Sequence, residues 1–354
     1  MTAAARPAPE TEAGAEAEAG APPGGRWQRL LGGGWIFLLL VVLIAIFAAL
    51  RPTQFGSAYN LSMLAVNAAI LLVLSVGQTF VIIAAGIDLS VGAVLVFASI
   101  TSALVMLRLS GAAGSAYGTT GGGWGVVAVG LLVALASGAF WGAVNGALVA
   151  VAGIPAPIVT LGTFGMALGF AQILTNGVDV RAVPETLVDG IGAGTIGGIP
   201  VLVLIAVATA VLGAAVLHLT RFGLHVFAVG SSREAARRAG IDVRGRIVAI
   251  YVLSGTLAGL AAMMATARFA TTTIGGHAMD NLATISAVVL GGTSLFGGVG
   301  SIAGTVVGVF IPIVLLNGFV ILGIPPFWQT VATGAVLVLA VWIDQLKRRA
   351  RERG

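Results

Sequence analysis

Few side chains in this chain could do chemistry, and their types narrow what that chemistry is. There is no cysteine, and the single lysine, Lys347, stands near the end. Disulfides, thiolate nucleophiles, a Schiff-base lysine inside the apolar body and a Walker A phosphate loop, which needs Lys after its glycines, are therefore excluded. His218, His225 and His277 are scattered without metal-ligand spacing. No nucleophile and base pair, HExxH or paired catalytic carboxylates occur, so an intramembrane enzyme is the least supported reading. What remains inside the apolar stretches is uncharged: Asn67, Gln78, Asn145, Thr160, Thr163, Gln172 and Asn317. Carboxamides and hydroxyls without charge suit a neutral polyhydroxylated solute, whereas an ion pump would show Asp, Glu or Arg pairs. Each of these groups could equally be glue between helices.

Three further features stand out. In Gly86-Ile87-Asp88-Leu89-Ser90-Val91-Gly92, between two apolar stretches, Asp88 is an ionisable residue near membrane depth and is costly there. It is expected to accept hydrogen bonds from backbone amides or from Ser90, as the cap of the following span; direct contact with a substrate is the alternative. The run 291–305, with Gly291, Gly292, Gly297, Gly298, Gly300 and Gly304, has neither Lys nor an adjoining strand, so it is no nucleotide loop. Small residues at that density predict a tight helical hairpin or a broken helix lining a cavity. The third is a basic island, Arg221 to Arg246. Within it Ser231 or Ser232 can cap a helix through Glu234, Ala235, Ala236 and Arg237 to Ala239, and Gly240 can stop it in the left-handed conformation. Such a knob is either a solvated loop or a lever that fits a groove on a partner.

The elements that must position these groups follow from composition. Hydrophobic residues make up 58% of the 354, charged residues 9%, and mean hydropathy is +1.06, which describes a polytopic membrane protein. The apolar runs are too long and unbroken for a barrel, and 52 glycines suit close helix packing in lipid. The expected fold is all-α, a transmembrane helix bundle of about ten spans: Trp35 to Leu50, Ser62 to Ala85, Val91 to Leu107, Gly125 to Val151, Ile158 to Thr175, Ile199 to Leu219, Ile247 to Thr266, Leu282 to Leu295, Ile302 to Leu322 and Phe327 to Ile343. The eighth is short for a full crossing and reads as broken or re-entrant. Residues 1–33 read as a disordered cytoplasmic tail without a removable signal peptide, 34–345 as the membrane domain with a cytoplasmic loop at 221–246, and 346–354 as a basic cytoplasmic tail. With both termini inside, fourteen of the eighteen basic residues fall inside, and only Arg51, Arg108, Arg181 and Arg268 outside. The formal charge of +5 is a topology signal plus contact with anionic lipid, and needs no nucleic acid.

At GIDLSVGA (Gly86 to Ala93), TNG (Thr175 to Gly177), TRFG followed by AVGSSREAARRAGI (Thr220 to Ile241) and AVVLGGTSLFGGVGSIAGT (Ala287 to Thr305), the chain resembles the ribose-type permeases of bacterial ABC sugar importers. The resemblance runs from about Leu61 to Ile343. It implies an inner-membrane permease of about ten spans, usually dimeric, fed by a periplasmic or extracellular sugar-binding protein and driven by a cytoplasmic ATPase. That ATPase would bind ATP and magnesium, with no cofactor in this chain. The island also resembles the EAA loop of other ABC permeases, with Glu234, Ala235, Ala236, then Gly240 and Ile250; Val252 and Leu253 depart from its usual Leu and Pro. The implied roles are ATPase coupling for Ser231, Ser232, Glu234, Ala235, Ala236, Arg237 and Gly240; a translocation path near Asn67, Gln78, Asn145, Thr163 and Asn317; and compact packing at Gly86, Asp88, Ser90, Gly92, Gly291, Gly292, Gly297, Gly298 and Gly304. A pentose or hexose is the expected solute. Branched-chain amino acids, nucleosides, furanosyl signals or a stand-alone facilitator remain as alternatives.

Overall fold

The computed structural model describes residues 35–112, 117–277 and 279–325, with scattered residues between 327 and 345. The expected N-terminal tail and the basic C-terminal tail lie outside the described residues, and the expected tenth span is described only at scattered positions, which are helical. The described part is mostly helical: α1 Trp35–Leu50, α2 Ala58–Ile83, α3 Val91–Leu109, α4 Trp124–Ala150, α5 Ala156–Thr175, α6 Val201–Leu219, α7 Arg221–Ser231, α8 Arg233–Arg238, α9 Val243–Phe269, α10 Asp280–Leu290 and α11 Ile302–Ile321. Seven of these, α2 to α6, α9 and α11, are long and apolar enough to cross a membrane; α1 and α10 are shorter. The fold is not purely helical. Four residues of the Gly-rich 111–123 region form β1, Tyr117–Thr120, parallel to β2, Arg181–Pro184, and Thr195–Ile196 pairs antiparallel with Ile199–Pro200.

Helix α2 is the axis of the bundle. All but its first turns are buried, and it packs against α9, α6, α11 and α10. The tightest contact in the bundle joins α4 and α9. A Cβ at Gly138, Gly142, Gly255 or Gly259 would overlap the backbone of the facing helix, so glycine is what lets these two approach. Without water to expel between helices in lipid, such close packing is the main source of association.

Helices α2 and α9 run antiparallel. Gly77 lies against Ser254, Asn67 bonds Arg268, and the end of α2 at Ile83 sits beside Gly230, just before α9 begins. Each is followed by a stretch of non-helical chain that turns back into the bundle, residues 84–90 after α2 and 270–279 after α9. The two helices that follow, α3 and α10, start beside one another: a Cβ at Gly92 would overlap the carbonyl oxygen of His277, and Asn281 Nδ2 donates to the Leu89 carbonyl at 3.0 Å. The two halves therefore meet as an inverted pair of broken segments. The eighth span is short, as expected, with its bounds shifted to Asp280–Leu290: α10 has 11 residues, about 16 Å, half of a hydrocarbon core of about 30 Å.

Candidate functional site: the coupling knob and the polar centre

The basic island holds two helices, where one was expected. Thr220 caps α7 by accepting from the Gly223 amide at 3.3 Å, and the apolar residues Phe222, Val226 and Val229, spaced four and three apart, turn to the bundle. Arg246 lies over the Phe222 ring, which in turn meets Phe80 of α2. After a sharp extended residue, Ser232, α8 begins. Ser232 Oγ accepts from the Ala235 amide at 3.2 Å, which assigns the cap to Ser232 and not Ser231. Gly240 stops the chain at φ +80°, as expected. Glu234 pairs with Arg238 at 3.1 Å and Arg237 at 3.7 Å; both pairs are exposed and contribute little to stability. Only Ala236 of α8 is buried, so Ser231, Ser232, Glu234, Ala235, Arg237 and Gly240 are left outward on a short, rigid projection.

What α7 stands on matters more. Gly230 lies within α7, and any side chain there would overlap the Ile83 carbonyl at the end of α2. The same carbonyl accepts from the Gly298 amide at 2.8 Å, while Gly297 sits against the Gly230 oxygen and Ala85. Gly297 and Gly298 both have positive φ, +84° and +73°, which permits the turn between α10 and α11 to fit here. The 291–305 run is thus the turn of a helical hairpin, with Gly291 and Gly304 back to back, Gly292 starting the turn, and Thr305 bonded to Thr79 of α2 at 2.8 Å. Three motifs far apart in sequence, at 83–86, 230–231 and 297–298, meet at one junction beneath the knob.

The polar centre is built on the first broken segment. Backbone that is not helical at membrane depth persists only when buried in protein or lining water, so each exposed carbonyl needs a partner. Ile87 O accepts from Tyr251 Oη at 3.4 Å and Thr160 Oγ1 at 3.3 Å, and Leu89 O from Asn281. Asp88, 2% exposed, accepts at Oδ1 from the Ser90 amide (2.9 Å) and hydroxyl (2.6 Å), and at Oδ2 from Ser254 Oγ (3.3 Å). The cap position of α3 is Ser90, and Ser90 makes no side-chain cap, so Asp88 holds the turn before the helix and does not cap the helix itself. From Ser90 the network continues: Asn145 Nδ2 donates to Ser90 Oγ at 2.8 Å and Asn145 Oδ1 accepts from Thr163 Oγ1 at 2.7 Å. Gly86 and Gly92 are where Tyr251 and the α10 entry approach too closely for a side chain.

The second broken segment is strapped at the end away from the knob. Asp179 Oδ1 accepts from the Ile274 amide at 2.8 Å, and Thr272 and Val180 exchange backbone and hydroxyl bonds at 2.9–3.0 Å. Further in, His277 Nδ1 meets Asp280 Oδ2 at 2.7 Å, leaving His277 Nε2 buried without a partner.

The five expected path residues do not line one channel. Asn145 and Thr163 belong to the Asp88 network. Asn317 forms a reciprocal amide pair with Asn60, at 2.8 and 3.2 Å, and so joins α11 to the start of α2. Asn67 is exposed and bonded by Arg268 at 2.8 Å. Gln78 is fully buried with neither amide atom paired, an arrangement that costs about 1–3 kcal/mol for each group left unsatisfied. Sequence reasoning missed α7, although its apolar spacing is a helical signal, and missed Tyr251 and Asn281, which donate to backbone carbonyls of a non-helical segment, and Ser254, which donates to the Asp88 carboxylate of that segment.

This arrangement, a bundle with paired broken helices at its middle and a charged knob over one end, is that of a multi-pass membrane transport component. Residues 60–341 match the family described as branched-chain amino acid transport system / permease component, and the chain belongs to that family. It is 33% identical over 311 residues to the D-allose transport system permease protein of Escherichia coli strain K12, covering 88% of this chain and 90% of that protein. It is 34% identical over 315 residues to the ribose import permease protein of the same strain, covering 88% and 93%. With the fructose import permease protein of Rhizobium meliloti the identity is 32% over 319 residues, covering 88% and 85%. No solved structure matches it.

Proposed function

We propose that the chain is the permease subunit of a bacterial ABC importer for a simple sugar, a pentose or hexose, in the inner membrane. Its relatives named for allose, ribose and fructose support the solute class. Two copies, each of about ten spans with both termini cytoplasmic, would form the pathway; a sugar-binding protein would deliver the solute from outside. A cytoplasmic ATPase, binding ATP and magnesium, would seat on Ser231, Ser232, Glu234, Ala235, Ala236, Arg237 and Gly240.

The observation that carries this reading is the junction under the knob. Because Gly230 and Gly298 both rest on the Ile83 carbonyl, a push on α8 reaches α2 and the α10–α11 hairpin together. Those are the elements that meet the two broken segments, where bistable packing can turn a small shift into opening. The pathway would pass Asn67 and Gln78; Asn145 and Thr163 would hold the Asp88 turn beside it, and Asn317 would fasten α11. Specificity would reside chiefly in the binding protein, so weak sites within the membrane suffice.

Reconstitution tests it. Vesicles holding the permease with its ATPase and binding protein are expected to accumulate sugar only with ATP. Uptake of the same sugar without an ATPase would establish a facilitator, and accumulation of a branched-chain amino acid or nucleoside in place of any sugar would move the solute class.

A further inference from the structure

Arginine at the end of a membrane helix ordinarily reaches outward, so that its charge sits at the interface. Arg268, the penultimate residue of α9, reaches the other way. Taking the contact of Gly77 with Ser254 as a common level, Asn67 lies ten residues away along α2, roughly 15 Å, and Arg268 fourteen along α9, roughly 21 Å. The guanidinium nevertheless bonds Asn67 at 2.8 Å, so the side chain runs back about 6 Å toward the middle of the bundle. Asn67 itself is the tenth residue of a helix of 26, about 14 Å in from its start.

At that depth the group is held but not neutralised. Nη2 donates to Asn67 Oδ1 and approaches Met63 Sδ at 3.8 Å, and the guanidinium carbon stands 5.6 Å from the Phe269 ring centre. Among the described residues no carboxylate pairs with it, and Nε is buried without a partner. Asn67 stands on a partly open stripe of an otherwise enclosed helix, with the half-buried Met63 one turn outward and the exposed Tyr59 two turns outward. An unpaired guanidinium and a carboxamide facing hydrocarbon would be costly, so this stripe faces water.

We propose that Arg268 and Asn67 form a polyol-binding subsite on the solute's way in, at the end of the bundle opposite the knob. The inference rests on the sugar-permease reading and deepens it. The guanidinium edge and the Asn67 amide supply forked N–H donors for neighbouring hydroxyl oxygens, and Phe269 supplies an apolar flank for a sugar's C–H face. Depth selects a small solute over a docked protein: a hydroxylated ring can descend past Tyr59, whereas the surface of a folded partner cannot. Lysine would keep the charge but lose the fork.

The absence of cysteine gives a clean reporter. Met63→Cys, in the complete transporter in vesicles, is treated with a water-soluble thiol reagent while D-ribose, D-allose and D-fructose are titrated in turn; Val207→Cys, exposed on the apolar face of α6, is the reference. Met63→Cys is expected to react at least about tenfold faster than Val207→Cys, and one sugar to slow it about tenfold once its concentration is about ten times the Kd. Arg268→Gln in the same background abolishes the protection and Arg268→Lys keeps part of it. Equal reactivity of the two cysteines, protection that survives Arg268→Gln, or protection by the anion D-glucuronate alone overturns the subsite. Uptake in the same vesicles separates the two ideas: sugar uptake without protection removes the subsite only, whereas no uptake and no protection by any sugar removes the functional reading with it.

Discussion

The two broken segments share a topology and differ in how they are held. Residues 84–90 are fixed from α4, α5, α9 and α10, and every polar atom named around Asp88 has a partner. Residues 270–279 are strapped at their outer end by Asp179 and Val180, and at their inner end His277 Nε2 is left bare. Satisfied buried networks rigidify, and partly satisfied ones mark where a second arrangement is accessible. By that measure the first segment is the fixed side of the pair, and the second, with α10, is the side where a second arrangement is more accessible.

The largest effect is expected at the fixed side. Asp88→Leu orphans Ser90 and Ser254 and leaves a buried network broken, a loss of about 3–5 kcal/mol read as collapse of monodisperse protein in detergent. Asp88→Asn keeps an accepting oxygen and should cost about 1–3 kcal/mol. Equal loss from both would show that the charge, and not the hydrogen-bond geometry, holds the turn. Next comes Gly230→Ala, whose methyl must displace the Ile83 carbonyl or Gly298. A cost of about 1–3 kcal/mol in the thermal midpoint is expected, with unchanged stability disproving the tight junction.

Asp179→Ala sharpens the comparison directly. Losing the strap should cost about 1 kcal/mol and raise amide hydrogen exchange over 270–279 while 84–90 stays protected. Faster exchange in both segments would mean that they open as one unit and that the division between the two sides is wrong.

How much of this was legible in the sequence depends on which atoms carry the contact. Helix bodies were readable because apolar length is a property of the residues themselves: Trp35–Leu50 has the expected bounds, and seven other described spans begin or end within four residues of the expected ones. The eighth span was misjudged at its end: the helix stops at Leu290, and the expected Leu282 to Leu295 runs on into the small-residue turn that follows. Ser232, Gly240 and the bond from Ser90 to Asp88 were legible because capping and turns act over two or three residues. The partners Ser254, Tyr251, Asn281 and Arg268 were not, because pairing across 166 or 201 positions leaves no local signal. The path residues failed for a related reason: a carboxamide reads alike in sequence whether it pairs, as Asn317 does with Asn60, or stays unpaired, as Gln78 does.

The central claim is that the exposed knob transmits work it does not itself perform. Glu234→Ala with Gly240→Ala removes two surface ion pairs, worth about 0–1 kcal/mol each, and strains one left-handed residue by about 1 kcal/mol, so the fold should survive. ATP hydrolysis and sugar uptake, measured on one reconstituted preparation of the complete transporter, give the decision. The account predicts that hydrolysis continues while uptake falls toward the ATP-independent level. Uptake that stays at the unsubstituted rate, with hydrolysis equally unchanged, would contradict it.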